Sequence, residues 1–173
     1  MSVSERSLID AIRNSVAIPD GSTILQKVIP KSDISKYISG DYSQIGGFIT
    51  TAKDAKHLKT FEDIFYGLRL DYKKLDGTNP FKLSDGSCGV IRYRTANPNL
   101  TIPKLKYSPE DPPLPFTGNG FSGGNNGRLG VPEWNSQFKT PLENSELYEV
   151  YSNGSEVLVA KFSTQYNKFI PVE

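Results

Sequence analysis

Asn153-Gly154 lies between two runs of apolar and aromatic residues, Leu147 to Ser152 and Glu156 to Phe162. Asn-Gly is the strongest short hairpin signal, because both residues tolerate the positive φ that tight turns use, so the two runs are expected to pair as a hairpin. Antiparallel pairing therefore governs the C-terminal part of the chain, and Phe169 to Val172 supplies a further strand candidate. Upstream, Thr23 to Ile29, Phe48 to Thr50, Leu68 to Tyr72 and Gly89 to Thr95 also read as strands. Capping-box spacing signals a helix start at Ser2, and Thr51 and Thr60, each with an aspartate three residues on, signal two more. Leu8, Ile9, Ile12 and Val16 fall on one face of the first helix, and Ser32 to Ile38 reads as a short helix closed by Gly40. Helices mixed with strands early, then strands alone, predict an α+β domain with N-terminal helices and a mainly antiparallel sheet.

At 173 residues the chain is expected to be one domain, 1–173, with residues 1–20 as a helical extension. A formal net charge of +1 lacks the basic excess of a nucleic-acid footprint, so nucleic acid is an unlikely partner. No run approaches the roughly 18 apolar residues of a membrane span. Met1 to Val16 carries charges throughout and has no apolar signal-peptide core. Cys88 is the only cysteine and His57 the only histidine, so neither a disulfide nor a metal is expected. Cys88 reads as a small strand residue beside Gly89, and His57 as a solvated residue among Lys53, Lys56 and Lys59.

Pro115 to Trp134 has no helical or strand period and is rich in glycine and asparagine. A loop this long in a compact domain is more often functional than decorative. Gly118 to Gly123 formally matches the dinucleotide fingerprint G-x-G-x-x-G. That fingerprint needs a strand before it and a helix after it. Here the proline-rich connection 97–117 precedes it and Gly124-Asn125-Asn126-Gly127 follows, so the Rossmann reading fails. Arg128 could contact an anion, Trp134 offers a flat stacking face, and Glu133 lies between Pro132 and Trp134 where neighbours can orient it. Upstream, Gly46-Gly47 leads a short strand into two hydroxyls, Thr50 and Thr51, either of which could orient a ribose. Glu146 and Glu149 face opposite sides of a strand and cannot act as a pair, while Glu143 precedes it.

The succession of Gly46 to Thr51, Tyr66 to Tyr72 and the Gly118 to Trp134 loop, with Leu142 to Tyr148 and a terminal hairpin, resembles C-terminal toxin domains of bacterial polymorphic toxins. Within these it is similar to the ADP-ribosyltransferase-like group and to NAD glycohydrolases of the tuberculosis necrotizing toxin type. The resemblance spans roughly residues 23 to 172 and implies a split antiparallel sheet whose cleft holds NAD. It implies NAD as substrate, a cognate immunity protein as partner, and delivery into a target cell as part of a larger toxin. Under it, Glu133 or Gln137 serves the reacting centre and Arg128 and Arg69 hold phosphates. Thr50 and Thr51 would orient the ribose, and Tyr42 and Trp134 would stack on nicotinamide. On the first strand, where ribosyltransferases carry arginine or histidine, this chain offers Gln26 and Lys27. Two other classes stay open on the residues alone: a small metal-independent ribonuclease, and a binding module that uses the loop as its contact surface.

Overall fold

The computed structural model describes residues 2–104 and 118–173. Its strands are β1 (Leu25–Ile29), β2 (Ile45–Thr51), β3 (Ser87–Tyr93), β4 (Trp134–Lys139), β5 (Glu146–Tyr151), β6 (Glu156–Ser163) and β7 (Lys168–Pro171). They form one curled antiparallel sheet in the order β4-β2-β1-β3-β5-β6-β7. With α1 (Val3–Asn14), α2 (Ile34–Ser39) and α3 (Phe61–Gly67), this is the expected α+β class. The β5–β6 hairpin turns at Asn153-Gly154, where Gly154 has φ 85° and the Tyr151 N–H donates to the Ser155 carbonyl.

Pairing between β1 and β2 is short, and the site depends on it. Leu25 pairs with Thr51 and Gln26 with Thr50, and there the register ends. β1 pairs with β3 along its whole length, and β2 pairs instead with β4 from Ile45 to Ile49. The sheet therefore opens between its second and third strands.

Each face of the sheet buries one core. Leu25, Ile29, Ile49, Ile91, Trp134 and Leu147 point to one side, where Tyr37 of α2 covers them. Cys88, Val90 and Val150 point to the other, under Phe61, Ile64 and Phe65 of α3. Strand alternation produces this division, because successive side chains leave a strand on opposite faces.

Local rules account for most element ends. Ser2 and Glu5 complete the expected capping box of α1, and at the expected start of α3 Thr60 and Asp63 form another. Gly40, in the left-handed region at φ 90°, ends α2. The Thr51 signal instead produces a capped turn: Thr51 Oγ1 accepts from the Asp54 N–H, yet no helix follows. The Ala52 N–H is already bonded to the Ile24 carbonyl, so the chain is still in the sheet where that helix would begin.

Leu68 to Tyr72 is a turn and not a strand. The Leu70 N–H donates to the Phe65 carbonyl and the Arg69 N–H to the Tyr66 carbonyl, the bond pair of a Schellman motif closing α3. Leu70 then joins Phe65 in the core, the apolar contact that accompanies such an end. Strand β4 was not foreseen, since Trp134-Asn135-Ser136-Gln137 holds no β-branched residue. On α1 the buried residues are Ile9 and Arg13, while Leu8 and Ile12 are exposed, so the docking face is rotated from the one the apolar pattern predicts. The proline-rich connection from 105 onward and the first residues of the glycine-rich loop, 115–117, lie outside the described residues.

Gly46 keeps β2 and β4 together beside the opening. A Cβ there would lie 2.8 Å from the backbone of Phe138, too close for any side chain. Gly46→Ala is expected to lower stability by about 1–3 kcal/mol, the usual cost of overpacking, read as a lower melting temperature in thermal unfolding.

Candidate functional site

The opening between β1 and β2 leads into a cleft of about 670 Å³ on the α3 side of the sheet. Gln26 and Val28 form one wall; Phe48 and Thr50 form the other. Glu133 and Asn135, flanking Trp134, close the end, and Phe121 and Ser122 of the glycine-rich loop lie above them with the Leu68–Tyr72 turn. A second cavity of about 660 Å³ adjoins it and shares Lys27, Val28, Tyr72 and Phe81.

Glu133 enters the cleft because Trp134 goes the other way. Trp134 is 2 % exposed and begins β4 inside the core, so alternation turns Glu133 outward from that core. The Glu133 N–H donates to the Gly120 carbonyl at 2.8 Å, which fixes its backbone. Burial pushes its carboxyl up to about 7, against the opposing pull of the Lys27 ammonium. Lys27 lies between the core residues Leu25 and Ile29, and its Nζ donates to the Phe48 carbonyl at 3.1 Å, across the opening. Burial pushes Lys27 below its ordinary value, with Glu133 acting the other way.

The glycine-rich loop is bonded to itself. The Ser122 N–H donates to the Val131 carbonyl at 2.9 Å, and Phe121 bridges Pro132. Ser122 Oγ donates to the Gly67 carbonyl at 2.7 Å, satisfying a free carbonyl at the end of α3. The loop is thus a folded flap whose base lines the cleft.

Arg69 takes the C′ position of the Schellman motif with φ 54°. Every other non-glycine residue with positive φ among the described residues is asparagine. A left-handed arginine costs about 1 kcal/mol, and such conformations cluster at functional sites. Its Nε donates to Asp71 Oδ1 at 2.9 Å, and both residues line the cleft. Thr50 lines it too; it is buried, and its Oγ1 has no hydrogen-bond partner.

Of the residues picked out from sequence, Glu133, Arg69 and Thr50 meet in this cleft, and Tyr42 lines the adjoining cavity edge-on to Tyr37. The others lie elsewhere. Thr51 faces away and bonds Asp54. Arg128 pairs with Glu62 at 3.1 Å and Asp63 at 3.3 Å, over the Tyr66 ring, and so holds the loop on α3. Gln137 is exposed on β4 and lines neither cavity. Trp134 is enclosed by core residues with the Arg13 guanidinium 4.0 Å over its ring, which leaves no face for nicotinamide. Glu143 is taken by Thr164, Glu149 accepts from Ser87, and Glu146 accepts from Tyr148. Cys88 is buried, its thiol pushed up to about 12, and His57 is exposed.

Lys27, Gln26 and Arg13 complete the surroundings; the sequence marked Gln26 and Lys27 only as what the first strand carries in place of arginine or histidine, and it did not mark Arg13. The signal for Lys27 was a lysine between two apolar residues on one strand face. Among the described residues no group of three or more His, Cys, Asp or Glu stands ready for a metal. Comparison with protein families, with curated proteins and with solved structures found no match.

Because the folded carboxyl of Glu133 titrates above its ordinary value of 4.5, protonation favours the fold. Its contribution is complete below pH 4.5 and is lost as pH rises through about 7. Glu133→Gln, permanently neutral, should melt several degrees above the wild type at pH 8, a gap that closes as pH falls to about 4.5. Melting temperatures measured from pH 4 to 9 check this.

Proposed function

We propose that this chain cleaves the nicotinamide–ribose bond of NAD, as a glycohydrolase or an ADP-ribosyltransferase on an ADP-ribosyltransferase-like split sheet. The observation that carries the reading is Glu133, a half-buried carboxylate facing Lys27 in a cleft that Arg69 also lines, where the sheet opens. The resemblance to polymorphic-toxin domains supports the same cleft, and with it delivery as part of a larger toxin and a cognate immunity protein.

The chemistry follows from the charges. Nicotinamide leaves NAD with the electron pair of the C–N bond, which neutralises its ring and leaves oxocarbenium character on the ribose. Ionised Glu133 stabilises that cation in a site of low dielectric. It then accepts a proton from the attacking water, whose oxygen bonds the ribose carbon, or from the acceptor group of a transferase. Arg69 and Lys27 are the cations that meet the two phosphates, and Thr50 lines the same cleft with its hydroxyl enclosed by protein. Tyr42 offers a ring in the adjoining cavity.

Free nicotinamide released from NAD by the purified chain, followed by chromatography, tests the reading. Glu133→Gln should reduce kcat by about 10²–10³-fold while the protein stays folded. In the wild type, kcat/KM should rise with pH through about 7 as the carboxyl ionises. No release with water or with a cell lysate as acceptor overturns the proposal, and degradation of RNA in its place would put ribonuclease chemistry in the same cleft.

Arg69→Gly separates function from stability. Glycine suits the left-handed C′ position, so the melting temperature should hold or rise, by up to about 1 kcal/mol of stability. Loss of a charged phosphate contact should weaken NAD binding about tenfold or more, measured by calorimetry.

A further inference from the structure

The α1 helix buries two side chains, Ile9 and Arg13. Arg13 is 2 % exposed, and its bonding partners are backbone carbonyls. Nε donates to the Gly120 carbonyl at 2.8 Å, and Nη2 donates to the Glu133 carbonyl at 3.0 Å. Nη1 has no hydrogen-bond partner. The guanidinium lies 4.0 Å over the Trp134 ring and 5.8 Å from that of Phe121. Gly120 leaves it room: with φ +81°, a Cβ there would sit 2.4 Å from the Arg13 Nε.

An arginine is a costly way to fill such a space. Burial pushes the guanidinium below its ordinary value, with Asp54 offsetting only part. An apolar side chain of similar reach would cover Trp134 without that penalty. What arginine adds is two donors in a fixed fork. They fall on the two carbonyls of a single rung, because the Glu133 N–H itself donates to the Gly120 carbonyl. Both sides of the flap base are thereby tied to α1 at the residue that carries the cleft carboxylate.

We propose that Arg13 is a positioning residue that holds Glu133 in the cleft, making the N-terminal helix part of the site. The proposal rests on the reading of Glu133 as the reacting group. Lys27 on β1, Arg69 and Asp71 after α3, and Lys104 are the other charged groups lining the cleft. None is altered by a change at Arg13, and loss of the Arg13 cation would by itself raise the Glu133 carboxyl, so a fall in Glu133 reports the loop itself.

The test uses the whole chain with Arg13→Met and Arg13→Lys. Carboxyl-carbon NMR follows the titration of Glu133, identified by its loss in Glu133→Gln, and nicotinamide release is measured in parallel. In folded Arg13→Met the Glu133 titration should drop from about 7 into the ordinary carboxylate range. In the same variant kcat should fall about 10²-fold with KM within about twofold, the loss expected when a reacting group is misplaced by about 1 Å. Arg13→Lys, which keeps a cation over Trp134, should fall between, and carries the same readout where Arg13→Met does not fold. An unchanged Glu133 titration in either folded variant overturns the proposal, whatever happens to NAD. A shifted titration in a protein whose wild type never releases nicotinamide upholds the positioning role and removes the NAD reading alone.

Discussion

Two residue pairs join β1 to β2, and the rest of the site follows from their stopping there. A sheet normally continues its ladder, because unpaired backbone donors and acceptors inside a protein are expensive. Here each strand keeps a full partner on its far side, β3 for β1 and β4 for β2, so both halves of the sheet remain well held. The Lys27 side chain bonds the Phe48 carbonyl across the gap, doing with an ammonium what a backbone N–H would have done. That substitution brings a positive charge into the middle of a sheet. It also leaves side chains from both halves facing a common space instead of one another.

Burial decides the electrostatics of that space. For both Glu133 and Lys27, desolvation is the leading influence and mutual attraction the lesser, so each is pushed toward its neutral form. The Arg92–Glu156 pair on the same sheet shows the contrary balance: hydrogen bonding to Glu156 leads, and the guanidinium is held above its ordinary value. A carboxyl that titrates near neutrality can lose and regain a proton at little cost, which suits a proton acceptor. An anionic ligand settling in the cleft would meet a cation from β1, Lys27, and one from the turn after α3, Arg69.

Much of the frame was legible because local chemistry and tertiary structure agree over most of the chain. Gly154 turns the β5–β6 hairpin at positive φ, Ser2 and Thr60 cap their helices, and Gly40 ends α2, each for the reason its residue type suggests. The site was legible only in part. Glu133 could be singled out by its neighbours, but its direction depends on β4 beginning at Trp134, and that strand lacks the β-branched residues that announce one. Trp134 looked like a ligand platform because an aromatic ring in a glycine-rich loop has no visible partner in the sequence. Its partner is Arg13, 121 positions away, and no local pattern connects them. Arg128 misled in the same way, since the acids that hold it belong to α3.

Where the chain departs from local rules, the departures converge on one place. A helix end that favours glycine carries Arg69, and a helix face that favours aliphatic residues carries Arg13. A strand position between two core residues carries Lys27. Each has a cost the fold does not require: backbone strain at Arg69, burial of charge at the other two. Packing alone would have placed glycine, leucine and valine there. Arg69 and Lys27 line the cleft that receives Glu133, and Arg13 grips that residue from behind. Three independent costs converge on one cleft, and the surrounding sheet supplies the stability that tolerates them.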